Sequence, residues 1–86
     1  MKLRLIGGRP PGRALDVGAG EGADSIRLAR LGYAVTAVEI SKVAADKIRG
    51  FAEEEGVTVD VRVADISEYE PDGQFDVAVE HVHAGA

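Results

Sequence analysis

The sequence predicts an α/β domain built on a parallel sheet, and three observations predict it. Short apolar runs at 14–18, 34–39, 57–64 and 75–80 recur along the chain, each of strand length. The first three are separated by stretches with helical spacing, 22–31 and 42–55, the alternation that winds a parallel sheet with crossover helices. The first run also breaks into Gly18, Gly20 and Gly22 directly before a helix. Such a loop brings unpaired N–H groups and a helix N-terminus up to a ligand, with no Cβ in the way.

Each element follows from its residues. In the arm, 1–12, Leu3 and Leu5 alternate with Lys2 and Arg4, a pattern open to a short edge strand, and Gly7-Gly8-Arg9-Pro10-Pro11-Gly12 then forbids helix. The first helix presents Ala23, Ile26 and the 28–31 region to the sheet, and Gly32 stops it. The continuous apolar run 34–39 implies burial on both faces, hence a central strand. Ser41 caps the second helix, whose inward stripe is read as Ala44, Ile48, Phe51, Ala52 and the stem of Glu55. Lys42, Asp46, Arg49, Glu53 and Glu54 face water, and Gly56 ends the helix. The third strand alternates strictly, Val57, Val59, Val61 and Val63 against Thr58, Asp60 and Arg62, which marks a strand near the sheet edge. Residues 66–74 form a connection ending in a Pro71-Asp72-Gly73 turn before the fourth strand.

Composition bounds the function. The chain has 86 residues and no cysteine, so it forms one small domain with no disulfide framework, and a reducing cytoplasm is the expected compartment. No apolar run is long enough to span a bilayer. The net charge is −5, but the first 13 residues hold four of the ten basic side chains and no acid. The other 73 therefore carry six basic against fifteen acidic side chains, which argues against a large nucleic-acid surface. The basic arm reads as a solvated terminus.

The chemistry concentrates in acids beside the glycine loop. Asp16 stands two residues before Gly18, Glu21 lies inside the loop, and Glu39 ends the second strand, where an acid can accept from both hydroxyls of a ribose. From Asp16 to Gly22 the chain reads acid-x-Gly-x-Gly-x-Gly. Glu39 follows 17 residues after Gly22, and Ala64-Asp65-Ile66 and Phe75-Asp76-Val77-Ala78-Val79 come later. In this order and spacing, residues 13–83 resemble the class I S-adenosylmethionine-dependent methyltransferases. The resemblance implies a Rossmann-like sheet in strand order 3-2-1-4, counted from the glycine-loop strand. It implies S-adenosylmethionine as cofactor and methyl transfer to an acceptor, expected to be a small molecule. It also implies roles: Gly18, Ala19 and Gly20 line the methionine and ribose, and Asp16 orients the ammonium directly or through water. Glu39 holds the ribose, Ile40 packs on the adenine, Asp65 accepts from the adenine amine with the N–H of Ile66 facing a ring nitrogen, and Glu80 or His81, just past the fourth strand, contacts donor or acceptor.

Other readings stand beside these. Gly18-x-Gly20-x-x-Ala23 also fits an NAD-type dinucleotide fingerprint, but a pyrophosphate on this loop would meet Glu21 and Asp16, whereas a sulfonium and an ammonium suit an acidic cradle. Asp16 can cap loop amides, Glu39 can be a plain strand-end acid, and Asp65 can be an Asx-turn residue. His81 and His83 alternate on one face, yet with Glu80 they fall short of the four ligands of a closed metal site, so no metal is expected.

The family resembled here normally has seven strands, and this sequence accounts for four. Right-handed crossovers place both helices on one face, so alternate residues of the first, second and fourth strands should leave the other face apolar and uncovered. Three expectations follow: a truncated, N-terminal half of such a domain; self-association through the uncovered face; and donor binding without turnover. A non-catalytic donor-binding or scaffold module is the alternative.

Overall fold

A computed structural model describes residues 12–20, 22–71 and 73–80, together with the backbone of 2–5. Its elements are β1 (Lys2–Leu5), β2 (Arg13–Val17), α1 (Ala23–Arg30), β3 (Ala34–Glu39), α2 (Lys42–Glu55), β4 (Val59–Val63) and β5 (Val77–Glu80). The sheet runs β1-β5-β2-β3-β4. Strands β5, β2, β3 and β4 are mutually parallel, which is the expected order 3-2-1-4 counted from β2. The arm adds a fifth strand: β1 pairs antiparallel with β5, Leu3 opposite Val79 and Leu5 opposite Val77. The first residues of the arm are therefore part of the sheet and not a solvated terminus.

Side-chain alternation decides the two faces. The register aligns Ala14 with Val35, Val59 and Val77, and Asp16 with Ala37, Val61 and Val79, so these residues share one face. Both helices cover it. Ala14, Val35, Val77 and Val79 pack with Leu28 of α1, while Ala37 and Val61 pack with Ala45 and Ile48 of α2. Ile48 is fully buried, and burying a side chain of that size contributes about 1.5–3 kcal/mol. The central strand is sealed as expected, with Val35, Thr36, Ala37 and Val38 all buried. At the edge, Asp60 and Arg62 of β4 are exposed and paired with each other at 3.0 Å, a charged border that discourages further strand pairing.

The helix ends follow the sequence closely. The Ser41 hydroxyl accepts from the Ala44 amide at 3.2 Å. Beyond α1, the Gly32 amide donates to Ala29 O at 3.0 Å and the Tyr33 amide to Leu28 O at 3.1 Å, the paired bonds of a Schellman ending. The inward stripes differ from expectation. Ala45, Ile48 and Ala52 are the buried residues of α2, while Phe51 is 42% exposed and Glu55 reaches across to pair with Arg30. Two helical rows pass through Ile48, and α2 turns the one with the smaller side chains inward. Ala37 and Ala45, both fully buried, let helix and sheet approach too closely for a phenylalanine. In α1 the buried residues are Ser25, Ile26 and Leu28, while Ala23 and Leu31 are exposed.

No described helix lies on the opposite face, but that face is less bare than expected. Thr36 and Val38 are buried and Leu15, Val17 and Ala78 half-buried, with Asp60, Arg62 and Glu80 exposed around them. At the other end of the sheet Arg13 fastens β2 to the approach to β5. Its amide donates to Asp76 Oδ2 at 2.9 Å, its Nη1 donates to Gln74 O at 3.1 Å, and its guanidinium lies 4.4 Å from the Phe75 ring centre. No described helix is long and apolar enough to cross a membrane.

Candidate functional site

A cleft of about 680 Å³ opens at the carboxyl ends of the parallel strands. It sits where the chain leaves β2 for β3 on one side and β5 stands on the other, the switch point at which open α/β sheets bind ligands. Gly18, the first glycine of the loop, forms part of one wall. Gly18, Gly20 and Gly22 have φ of 66°, 59° and 81°, conformations that L side chains rarely adopt. The loop is pinned to β3, because Val38 O accepts from the amides of Gly18 at 2.9 Å and Ala19 at 3.4 Å. Two of the glycines differ in their surroundings. A Cβ on Gly18 would meet nothing within 4 Å, so its face is open to a ligand, whereas a Cβ on Gly22 would lie 2.9 Å from Ile48. Gly18 serves the cleft and Gly22 the core.

The strand ends supply the other walls. Glu39 closes β3, Glu80 closes β5, and Asp65 follows β4; all three line the cleft. The Ala64 amide donates to Glu39 O at 3.1 Å and so holds the ends of β3 and β4 together. The Ser67 backbone amide and then its hydroxyl, both bonded to Asp65 Oδ1 at 3.0 and 2.9 Å, hold the Asp65 carboxyl below the usual aspartate range. The Asx-turn geometry weighed for Asp65 is thus present while the residue still lines the cleft. Ile40 and Ile66 also line it and are 67% and 46% exposed, unusual for large apolar side chains and suited to the faces of a flat ring. Among the described lining residues the charged side chains are three carboxylates, with no basic group.

Of the expected site residues, Gly18, Glu39, Ile40, Asp65, Ile66 and Glu80 come together in this cleft. Gly20 is exposed but outside its lining, and Ala19 is buried. Asp16 lies on the helix-covered side of β2, fully buried, where its Oδ2 accepts from the Ser25 hydroxyl at 2.5 Å. Glu21, His81 and His83 fall outside the described residues. Among the described residues no three His, Cys, Asp or Glu side chains are grouped to hold a metal ion. Sequence reasoning missed Leu15, Val17, Val38 and Ala64 as lining residues. The alternation around Asp16 was the available signal, since Leu15 and Val17 must share the face opposite to it. A second groove, about 590 Å³, runs between α1 and α2 beside the Arg30–Glu55 pair, away from the strand ends.

Among the described residues the cleft thus combines the open face of Gly18, two exposed isoleucines and three carboxylates at the strand ends. Fold and cleft together define a Rossmann-like α/β domain with its cleft at the strand switch point. The chain belongs to the class I S-adenosylmethionine-dependent methyltransferases, and the family model described as a methyltransferase domain matches residues 14–84. The ubiquinone biosynthesis O-methyltransferase of Paramagnetospirillum magneticum is 42% identical over 73 residues, covering 79% of this chain and 29% of that protein. The ribosomal protein L11 methyltransferase of Symbiobacterium thermophilum is 36% identical over 76 residues, covering 87% of this chain and 25% of that protein. Among solved structures, the tRNA (uracil-54, C5)-methyltransferase of Pyrococcus abyssi in complex with S-adenosyl-L-homocysteine superposes with a TM-score of 0.72. It is 29% identical, over 84% of this chain and 17% of that one. The chain thus spans less than a third of the length of these relatives.

Proposed function

We propose that this chain is the donor-binding part of a methyltransferase, that its cleft takes S-adenosylmethionine, and that the acceptor is a small molecule. The observation that carries the donor assignment is the charge of the cleft: Glu39, Asp65 and Glu80 with no base among the described lining residues. A dinucleotide would add two phosphate charges to a cleft whose described charged side chains are all acidic, and like charges in a partly dry cleft repel. A cationic sulfonium and an α-ammonium are attracted. The bound donor supplies a methyl carbon already activated for in-line displacement, so the work left to the protein is positioning. Glu39 accepts from the ribose hydroxyls, Ile40 and Ile66 pack against the adenine, the Asp65 carboxylate accepts from the adenine amine, and Gly18 admits the donor close to the backbone.

The small-molecule acceptor rests on two observations. It is supported by the 42% identity to a protein of ubiquinone biosynthesis and by the acidic balance of the chain beyond its arm. Because the chain spans so little of its relatives, the 86 residues by themselves are expected to bind donor without turnover. Calorimetry with S-adenosylhomocysteine and with NAD tests the donor assignment. Binding of the former and silence from the latter is the expected result, and tighter binding of NAD overturns the reading. A labelled-methyl assay on candidate quinols and catechols then tests turnover.

A further inference from the structure

Three described polar residues are buried, and two of them, Asp16 and Ser25, are fully inaccessible and bonded to each other at 2.5 Å. Neither lines the cleft. Burying a carboxyl group is costly unless it is hydrogen-bonded, and the Ser25 hydroxyl supplies such a bond. Asp16 stands on β2 just before the glycine loop and Ser25 in the first turn of α1 just after it, so the bond spans the base of the loop from one flank to the other. The loop between them carries three glycines at positive φ and would otherwise sample many backbone states. From outside, Val38 O holds its Gly18–Ala19 end, and the Ile26 amide donates to Gly22 O at 3.0 Å at the other.

Resting on the donor assignment above, we propose that Ser25 is a positioning residue. Through its bond to Asp16 it holds the glycine loop in the one shape that receives the amino-acid end of the donor. The adenosine end is held by Glu39, Asp65, Ile40 and Ile66, which stand at or just beyond the ends of β3 and β4 and do not depend on this bond. A loop that must be ordered at the moment of binding lowers affinity only for the part of the ligand it contacts. Loss of the Ser25 hydroxyl therefore separates two ligands that differ only in that part.

The test uses the full chain and compares S-adenosylhomocysteine with 5′-methylthioadenosine, which lacks the amino acid, by calorimetry. In Ser25→Ala, and in Ser25→Cys, which keeps the volume but donates weakly, the affinity for S-adenosylhomocysteine should fall by about tenfold. The affinity for 5′-methylthioadenosine should change by less than about twofold. Should the alanine variant fail to fold, the cysteine variant gives the same comparison. If both ligands weaken together in step with a lowered melting temperature, the bond is merely structural and the inference is overturned. If neither weakens, it is overturned as well. Failure of the unsubstituted chain to bind S-adenosylhomocysteine overturns the donor assignment first and this inference with it.

Discussion

At the scale of single residues, Glu39 and Asp65 were legible because each stands where an apolar strand pattern stops. A charge there must sit at the mouth of a parallel sheet. If Glu39 holds both ribose hydroxyls, Glu39→Ala should lower the affinity for S-adenosylhomocysteine by about 1.5–3 kcal/mol, the range for hydrogen bonds to a charged group. Calorimetry reads this directly, with the melting temperature of the free protein nearly unmoved. Asp65 makes a second prediction. Ser67 donates twice to its Oδ1 and favours the carboxylate, so its folded pKa lies below the unfolded one. The turn is thus favoured at pH above the ordinary aspartate range and loosens as pH falls through the lowered value. An NMR carboxyl titration of Ser67→Ala, which removes the hydroxyl but keeps the stronger backbone amide, should show Asp65 moving part of the way back toward ordinary aspartate behaviour, and an unchanged midpoint would mean that the hydroxyl contributes nothing. Asp16 was legible as an acid but not as a buried one. Periodicity gives alternation along β2 without saying which of the two sets faces the helices.

Among the elements, boundaries were read well and rotations less well. Ser41, Gly32 and Gly56 gave local chemical signals at their helix ends, and the structure uses each of them. Which row of α2 turns inward depends on how closely the sheet can approach, and that is settled by Ala37 across the core, far away in sequence. The glycine loop makes the corresponding prediction. Gly22→Ala carries both the cost of a positive φ, about 1–2 kcal/mol, and a clash with Ile48, about 1–3 kcal/mol for overpacking. Gly18→Ala carries only the first, since nothing stands near its Cβ. Urea unfolding should therefore rank Gly22→Ala as clearly the less stable. Calorimetry should show that Gly18→Ala loses donor affinity out of proportion to its small loss of stability. Equal unfolding midpoints would contradict the division of labour between the two glycines.

For the molecule as a whole, the parallel order of β5, β2, β3 and β4 and the shared helix face were legible, because crossover handedness leaves few alternatives. The partner of the arm was not. Nothing near Lys2–Leu5 specifies Val77–Glu80, since a pairing across nearly the entire sequence has no local signature. The helix-free face makes the prediction at this scale. Leu15, Val17 and Ala78 form a half-buried apolar strip, and the purified 86-residue chain should associate weakly through it. Sedimentation velocity over a range of concentrations should show a rising coefficient that Leu15→Lys abolishes. A concentration-independent monomer would show that this face needs no cover.

The position of β1 has a temporal consequence. Among the described residues its one sheet neighbour is β5, with Leu5 opposite Val77, so during synthesis β1 must wait for β5, the last of the described strands, to emerge. Meanwhile β2, β3 and β4 can assemble with their helices, leaving a vacant lane beside β2. Arg13, already in place at the mouth of that lane, can greet Gln74, Phe75 and Asp76 as they arrive. Within this sheet β1 can be zipped in only once β5 is there.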